Sequence, residues 1–163
     1  MSVLRDIRAA IVTLVQGSAV GGIRMPAAGL FLVVGDDVEV QQADAADSTP
    51  RPVYLGAGSE VADPTIPSDV SGDYHWEARM LPMWILYAYD PSHTVVQRDS
   101  LMDDDERAIR RVLMEPLNIA LTTNWAKCIV DSARSEIRDD EGVAALKVLS
   151  LSITVVYRED WAT

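Results

Sequence analysis

Between Leu149 and Arg158 apolar and polar side chains alternate with a single fault. Leu149, Leu151, Ile153, Val155 and Tyr157 take the odd positions, Ser150, Ser152, Thr154 and Arg158 the even ones, and only Val156 breaks the rule. Successive side chains of a strand point to opposite faces, so this pattern predicts a strand with one buried face and one wet face. A slip of one residue would turn the apolar row into water, which fixes its register in a sheet. Such a strand is not stable alone. It requires sheet partners and a helical cover from the preceding chain.

Those partners are visible upstream. Val3, Leu4, Ile7, Ala10, Ile11, Leu14 and Val15 recur at helical spacing, with Ser2 placed as N-cap and Gly17 as the stop. A glycine-rich joint (17–22) and Met25-Pro26 break the chain before Leu30–Val34, a continuous apolar run that predicts a buried strand, with Val38–Val40 as a hairpin partner. Residues 41–73 are rich in Asp, Ala, Ser and Pro, and only Val53-Tyr54-Leu55 there suits a strand. So long a connection reads as an extended acidic, Pro-rich loop or arm that orders on assembly, or as a segment disordered in isolation. Its deletion (43–72) is expected to leave the core folded. From Tyr74 to Met80 apolar side chains alternate with His75, Glu77 and Arg79; Pro82 marks an edge, bulge or break, and Met83–Tyr89 resumes as a strand.

A second helix is expected to open at Ser100, with Asp103 as capping-box partner and Asp103–Glu106 at its positive end. Asp103–Arg107 and Glu106–Arg110 are i,i+4 pairs, and Ile109, Val112, Leu113, Leu117, Ala120 and Leu121 form the buried stripe. Pro116 predicts a kink or restart within it. Thr122-Thr123-Asn124 is the exit. Residues 127–138 suit a strand, which would pair with the last strand as a hairpin through a polar turn at 138–142.

The sum is one α+β domain over 1–163: a mainly antiparallel sheet covered on one side by two principal helices, with a long loop inserted. The length of 163 residues is ample for a single core. No apolar run approaches the roughly 20 residues of a membrane-spanning helix, and the N-terminal pattern with Arg5, Asp6 and Arg8 is unlike a secretory signal. The formal charge of −11 is concentrated: residues 36–73 hold nine acids against Arg51 alone. Phosphate binding needs clustered Lys and Arg, so nucleic-acid affinity is disfavoured, while DNA passing nearby without sticking is compatible with such a surface.

Candidate chemistry is sparse. Cys128 is the one cysteine, which excludes an intrachain disulfide and reads as a small buried hydrophobe. His75 and Glu77 share a strand face as two potential metal ligands, but the sequence offers no third, and a surface pair is the simpler reading. His93 lies in a turn. No Gly-x-Ser-x-Gly elbow occurs, and no carboxylate sits isolated in apolar sequence where burial would raise its pKa. No catalytic residue, cofactor or metal is expected.

The order helix, strands interrupted by a long insert, longer helix and final hairpin resembles the tail terminator (tail completion) proteins of long-tailed bacteriophages and tail-like particles. The residues that carry the resemblance are Leu4–Ile11, Asp105–Leu113 and the closing Leu151–Arg158. It implies a hexameric homo-oligomeric ring that caps the tail tube, ends its polymerisation and joins it to the head. The implied partners are the tail tube protein and a head-completion or connector protein, with DNA passing through and no membrane contact. The implied location is the virion tail or neck, assembled in the host bacterial cytoplasm. Another head–tail connector, neck or minor tail protein remains an alternative, as does an enzyme whose site assembles from distant residues. Trp76, Arg79, Trp84 and Tyr87, with Tyr54 and Arg51, are the candidate interface residues, since aromatic and arginine side chains are enriched in interface cores. The segment Trp76–Tyr89 reads equally well as core strands.

Overall fold

The computed structural model describes residues 2–17, 30–35, 51–60, 74–88, 95–138 and 144–160. The joint at 18–29, the expected hairpin partner Val38–Val40, His93 and the turn residues 139–143 lie outside them.

α1 spans Val3–Val15 and buries Ile7, Ile11, Leu14 and Val15 on one stripe, as the spacing requires. Ser2 stands at the N-cap with an extended backbone, but its carbonyl rather than its hydroxyl closes the first turn, accepting from the Arg5 and Asp6 amides. Gly17 ends the helix at φ 69°, the left-handed conformation that glycine adopts without a Cβ penalty.

The sheet comprises β1 (Phe31–Gly35), β2 (Arg51–Leu55), β3 (Ser59–Glu60), β4 (Tyr74–Ala88), β5 (Trp125–Arg138) and β6 (Ala144–Asp160). Its order is β1-β2-β4-β6-β5, with β3 on β4. The β1–β2 pair is parallel and the others are antiparallel. The centre is β6, paired with β4 from Tyr74↔Asp160 to Ala88↔Leu146 and with β5 on its other side. Leu149, Leu151, Ile153, Val155 and Tyr157 all face the principal core, so the alternating register holds as read. On β4 the same face carries Leu81, Met83, Ile85 and Tyr87. The opposite face carries a smaller cluster of Tyr54, Leu86, Leu146 and Val148, against which Trp84 packs.

Pro82 does not interrupt β4. Its carbonyl accepts from Gly56 N at 2.8 Å, so its missing N–H faces the crossing between β2 and β3 rather than the β6 ladder. Residues 51–60 correct the expectation of an arm over 41–73. β2 lies between β1 and β4, with Val53 and Leu55 wholly within the core. Pro52 is tolerated because Arg51 N donates to Leu30 O, which points Pro52 the other way, just outside the Val53–Leu55 stretch that pairs with β4. β1 is also corrected: it is an outer strand, and only Phe31 of its side chains is buried.

α2 spans Val95–Leu113, beginning before Ser100, so Asp103–Glu106 lie in mid-helix and do not cap it. Pro116 causes a restart as α3 (Pro116–Ile119), with Pro116 in its first turn and Glu115 as N-cap. The restart shifts the phase of the stripe. Asn118 and Ile119 are buried, while Leu117, Ala120 and Leu121, expected inside, are on the surface. Asn124 makes the exit at φ 67°, a conformation asparagine tolerates better than most residues. β5 follows, with Cys128 and Val130 facing the core and 131–136 exposed.

Candidate functional site

α2 is tied to the sheet by charge as well as by its apolar stripe. Met102, Asp105, Ile109, Val112 and Leu113 face inward at helical spacing, so the stripe includes a carboxylate. Asp105 is 1% exposed. Its Oδ1 lies 2.5 Å from Arg51 Nη2, and Tyr87 OH donates to Oδ2 at 2.7 Å. The Arg51 guanidinium also stands over the Phe31 ring at 5.3 Å. This network joins β1, β2, β4 and α2 around one buried charge pair. Burial raises the Asp105 carboxyl above its ordinary range, against the opposing pull of Arg51 and Tyr87. Burial also raises the Tyr87 hydroxyl, and the Asp105 charge adds to that shift. The sequence reading missed Asp105 by grouping it with its acidic neighbours; its place three residues after Met102 and four before Ile109 was the available signal.

A second row of contacts lies where α2 meets β5 and the start of β6. Lys147 Nζ is 2.5 Å from Asp99, Arg134 pairs with Asp103, and Arg110 reaches Glu106 at 3.4 Å and Val130 O at 2.5 Å. Ser132 also donates to Glu106. Asp99, Asp103, Glu106 and Arg110 recur at i, i+4, i+7 and i+11, so one helix face carries the row. Glu106–Arg110 is therefore the pair expected; Asp103 turns to Arg134 instead, and Arg107 to Asp104. Depletion of apolar side chains along 131–136 explains why β5 is held down by ion pairs there.

The third cluster lies at the far end of the long ladder. Glu77 and Tyr157 are register partners, and Tyr157 OH donates to Glu77 Oε2 at 2.7 Å. His75 Nε2 is 2.6 Å from Oε1, and Arg79 Nε is 3.5 Å from Oε2. Burial alone would raise the Glu77 carboxyl; hydrogen bonds from His75 and Tyr157 with the Arg79 charge outweigh it and hold the group below its ordinary value. His75 and Glu77 thus form part of a half-buried network rather than an isolated surface pair. Among the described residues no group of three or more His, Cys, Asp or Glu is placed to hold a metal. Cys128 is buried, which pushes its thiol up to about 12, away from nucleophilic use.

The six expected interface residues separate into two sets. Arg51 and Tyr87 are interior groups bonded to Asp105, which removes them as docking residues: exposing either would break the buried pair. Tyr54 and Trp84 belong to the sheet face opposite the principal core, Tyr54 buried and Trp84 half-buried, and Trp76 is half-buried. Arg79 is half-buried with Glu77. Among the described residues the exposed large apolar side chains lie elsewhere: Leu32 and Val34 on β1, Val96 in the first turn of α2, and Met114, Leu117 and Leu121 around α3.

These features define an α+β protein whose described polar clusters are internally bonded. No protein-family model matches the chain, and no curated protein is similar enough in sequence to place it in a family.

Proposed function

We propose that the chain is a structural virion subunit that assembles into a ring, caps the tail tube of a long-tailed phage or tail-like particle, ends tube polymerisation and joins the tube to the head or neck. One observation carries the reading. Among the described residues β1 and β5 each pair on one side only, at opposite ends of the sheet. Strand edges with unpaired backbone groups favour docking of another chain, and two unlike edges favour a head-to-tail contact that closes into a ring. Support also comes from the bonded state of the three polar clusters, which serve the fold. The net charge of −11 suits a bore through which DNA moves without adhering.

In this reading the partners are further copies of the chain, the tail tube protein and a head-completion or connector protein, and the reaction is assembly rather than catalysis. Native mass measurement and electron microscopy of the purified protein, alone and with tail tubes, provide the test. A closed hexamer seated on tube ends is the expected result. A ring of another order favours a different neck component or minor tail protein. A monomer that ignores tubes overturns the proposal.

A further inference from the structure

We infer that Arg110 is an edge guard: its guanidinium occupies the outer backbone edge of β5 and closes the sheet there to a strand from another chain. The ladder shows which way each β5 residue turns its backbone. In an antiparallel pair a residue turns its N–H and C=O to one side, and its two neighbours turn theirs to the other. Pro82 O accepts from Gly56 N, so Pro82 turns away from β6, while Leu81 and Met83 turn toward it. Their register partners Ile153 and Leu151 therefore serve β4, and Ser152 between them serves β5. Ser152 is level with Asp131, so Asp131 turns inward, and Val130 and Ser132 turn outward. Arg110 Nη1 donates to Val130 O at 2.5 Å, which puts the guanidinium on that outer edge. Among the described residues no strand pairs with β5 on this side.

Neighbouring groups hold the guard in place. Arg110 Nη2 lies 3.4 Å from Glu106 and 3.2 Å from Ser132 Oγ, and Ser132 in turn donates to Glu106. Its position decides what it does. An added strand bonds to every second residue of an edge, at steps of about 7 Å. On β5 those residues are Cys128, Val130, Ser132 and Arg134, and a guanidinium on Val130 interrupts the row. Charged side chains on an edge strand make a sheet resist further strands, and here the charge bonds the edge carbonyl itself. The opposite end is treated alike. Arg51 N donates to Leu30 O and Leu32 is level with Pro52, so Leu30 and Leu32 serve β2 and Val33 turns outward. Val33 N donates to Gln16 Oε1 at 3.0 Å. Each end strand of the described sheet carries a side chain where a further strand would bond, an acceptor on β1 and a donor on β5. Whatever assembly the chain serves, a copy that extends the sheet at β5 must first displace Arg110.

Full-length variants test this, each checked for folding by thermal melting. Arg110→Met keeps the aliphatic stem and bares Val130 O. Sedimentation should then show self-association at least tenfold tighter than that of the wild type, while Arg110→Lys, which keeps a cation at the edge, should stay near the wild type. Ser132→Pro added to Arg110→Met should return association to the wild-type strength, because the Ser132 N–H faces outward and a proline there removes an edge donor without touching the β6 ladder. Should Arg110→Met fail to fold, Glu106→Gln gives the same reading: it weakens the anchor of the guanidinium and should also tighten association. A folded Arg110→Met, or Glu106→Gln in its place, that associates no more tightly than the wild type overturns the inference, and so does association that survives Ser132→Pro. Failure here leaves the tube-capping reading intact. A wild type that ignores tail tubes, with Arg110→Met still associating through β5, does the reverse.

Discussion

Replacement of Arg51 by methionine tests whether the buried charge pair organises the fold. The change keeps most of the side-chain volume but leaves Asp105, 1% exposed, with Tyr87 as its remaining partner of the pair described above. Removing one member of a buried ion pair costs about 3–5 kcal/mol, because the other is left as an uncompensated charge. For a domain of this size each kcal/mol moves the melting temperature by about 2–4 °C, so a fall of roughly 6–20 °C is expected. The sign of the pH dependence follows from Asp105. Its carboxyl is already raised by burial, and loss of Arg51 raises it further above its unfolded value. A raised carboxyl costs stability above the unfolded pKa, and the cost is relieved as the pH falls and the group takes a proton. The deficit of Arg51→Met against wild type should therefore shrink as the pH falls from 7 towards the ordinary aspartate value of 3.8. Replacing the whole network with Arg51→Met, Asp105→Leu and Tyr87→Phe removes the charge and the hydroxyl together, and should lie within about 1.5 kcal/mol of wild type. Urea unfolding at fixed protein concentration measures all of this, with constant m-values confirming a shared reference state. A cost below about 1 kcal/mol for Arg51→Met at pH 7, or a deficit indifferent to pH, refutes the reasoning.

Deletion of 43–72 should abolish cooperative folding, because it removes β2 with Val53, Leu55 and Arg51; a deletion mutant with a native-like melting transition would contradict the sheet order. Ile153→Asp should leave no folded protein in circular dichroism, since it places a charge at a fully buried position on the central strand, and a well-folded product would refute the central placement of β6. Glu77→Gln should lower the melting temperature most near neutral pH: a depressed carboxylate contributes stability above its unfolded pKa and loses it as the pH falls through the folded value, so wild type and variant curves should converge below the ordinary glutamate value of 4.5. Curves that stay parallel into acid would remove Glu77 as a stabilising carboxylate.

Local patterning was enough wherever one face of an element meets one core. The odd residues of β6, the stripe of α1 and the β5–β6 hairpin follow directly from spacing, because each needs only a count of two or 3.6. Three features needed the third dimension. β2 looked like part of a loop because Pro50, Pro52 and their polar neighbours hide a three-residue apolar core, and a short interior strand needs no more than that. β1 looked buried because five apolar residues in a row carry no sign of which neighbour is missing. Asp105 looked like one member of an acidic run, since the sequence does not show Arg51 and Tyr87 converging on it from 54 and 18 residues away. Two of the six candidate interface residues were hidden in the same way: Arg51 and Tyr87 have interface chemistry, and the fold uses it internally.

Leu117 and Leu121 continue the helical spacing of Ile109, Val112 and Leu113, and a straight helix would have turned them toward the same core. Pro116 prevents this. With no N–H to donate, it starts a new turn at Glu115, whose side chain accepts from Leu117 N, and the phase moves by enough to bury Asn118 instead. Asn118 then donates to Val112 O at 3.0 Å, closing the carbonyl that the broken helix leaves open. Fully burying a leucine is worth about 1.5–3 kcal/mol, and Leu117 and Leu121, each more than half exposed, forgo much of that gain. Met114 beside them is exposed as well. Pro116 thus sets which side chains the end of the helix buries: Asn118, whose amide meets the stranded carbonyl, goes in, and Leu117 and Leu121 stay at the surface.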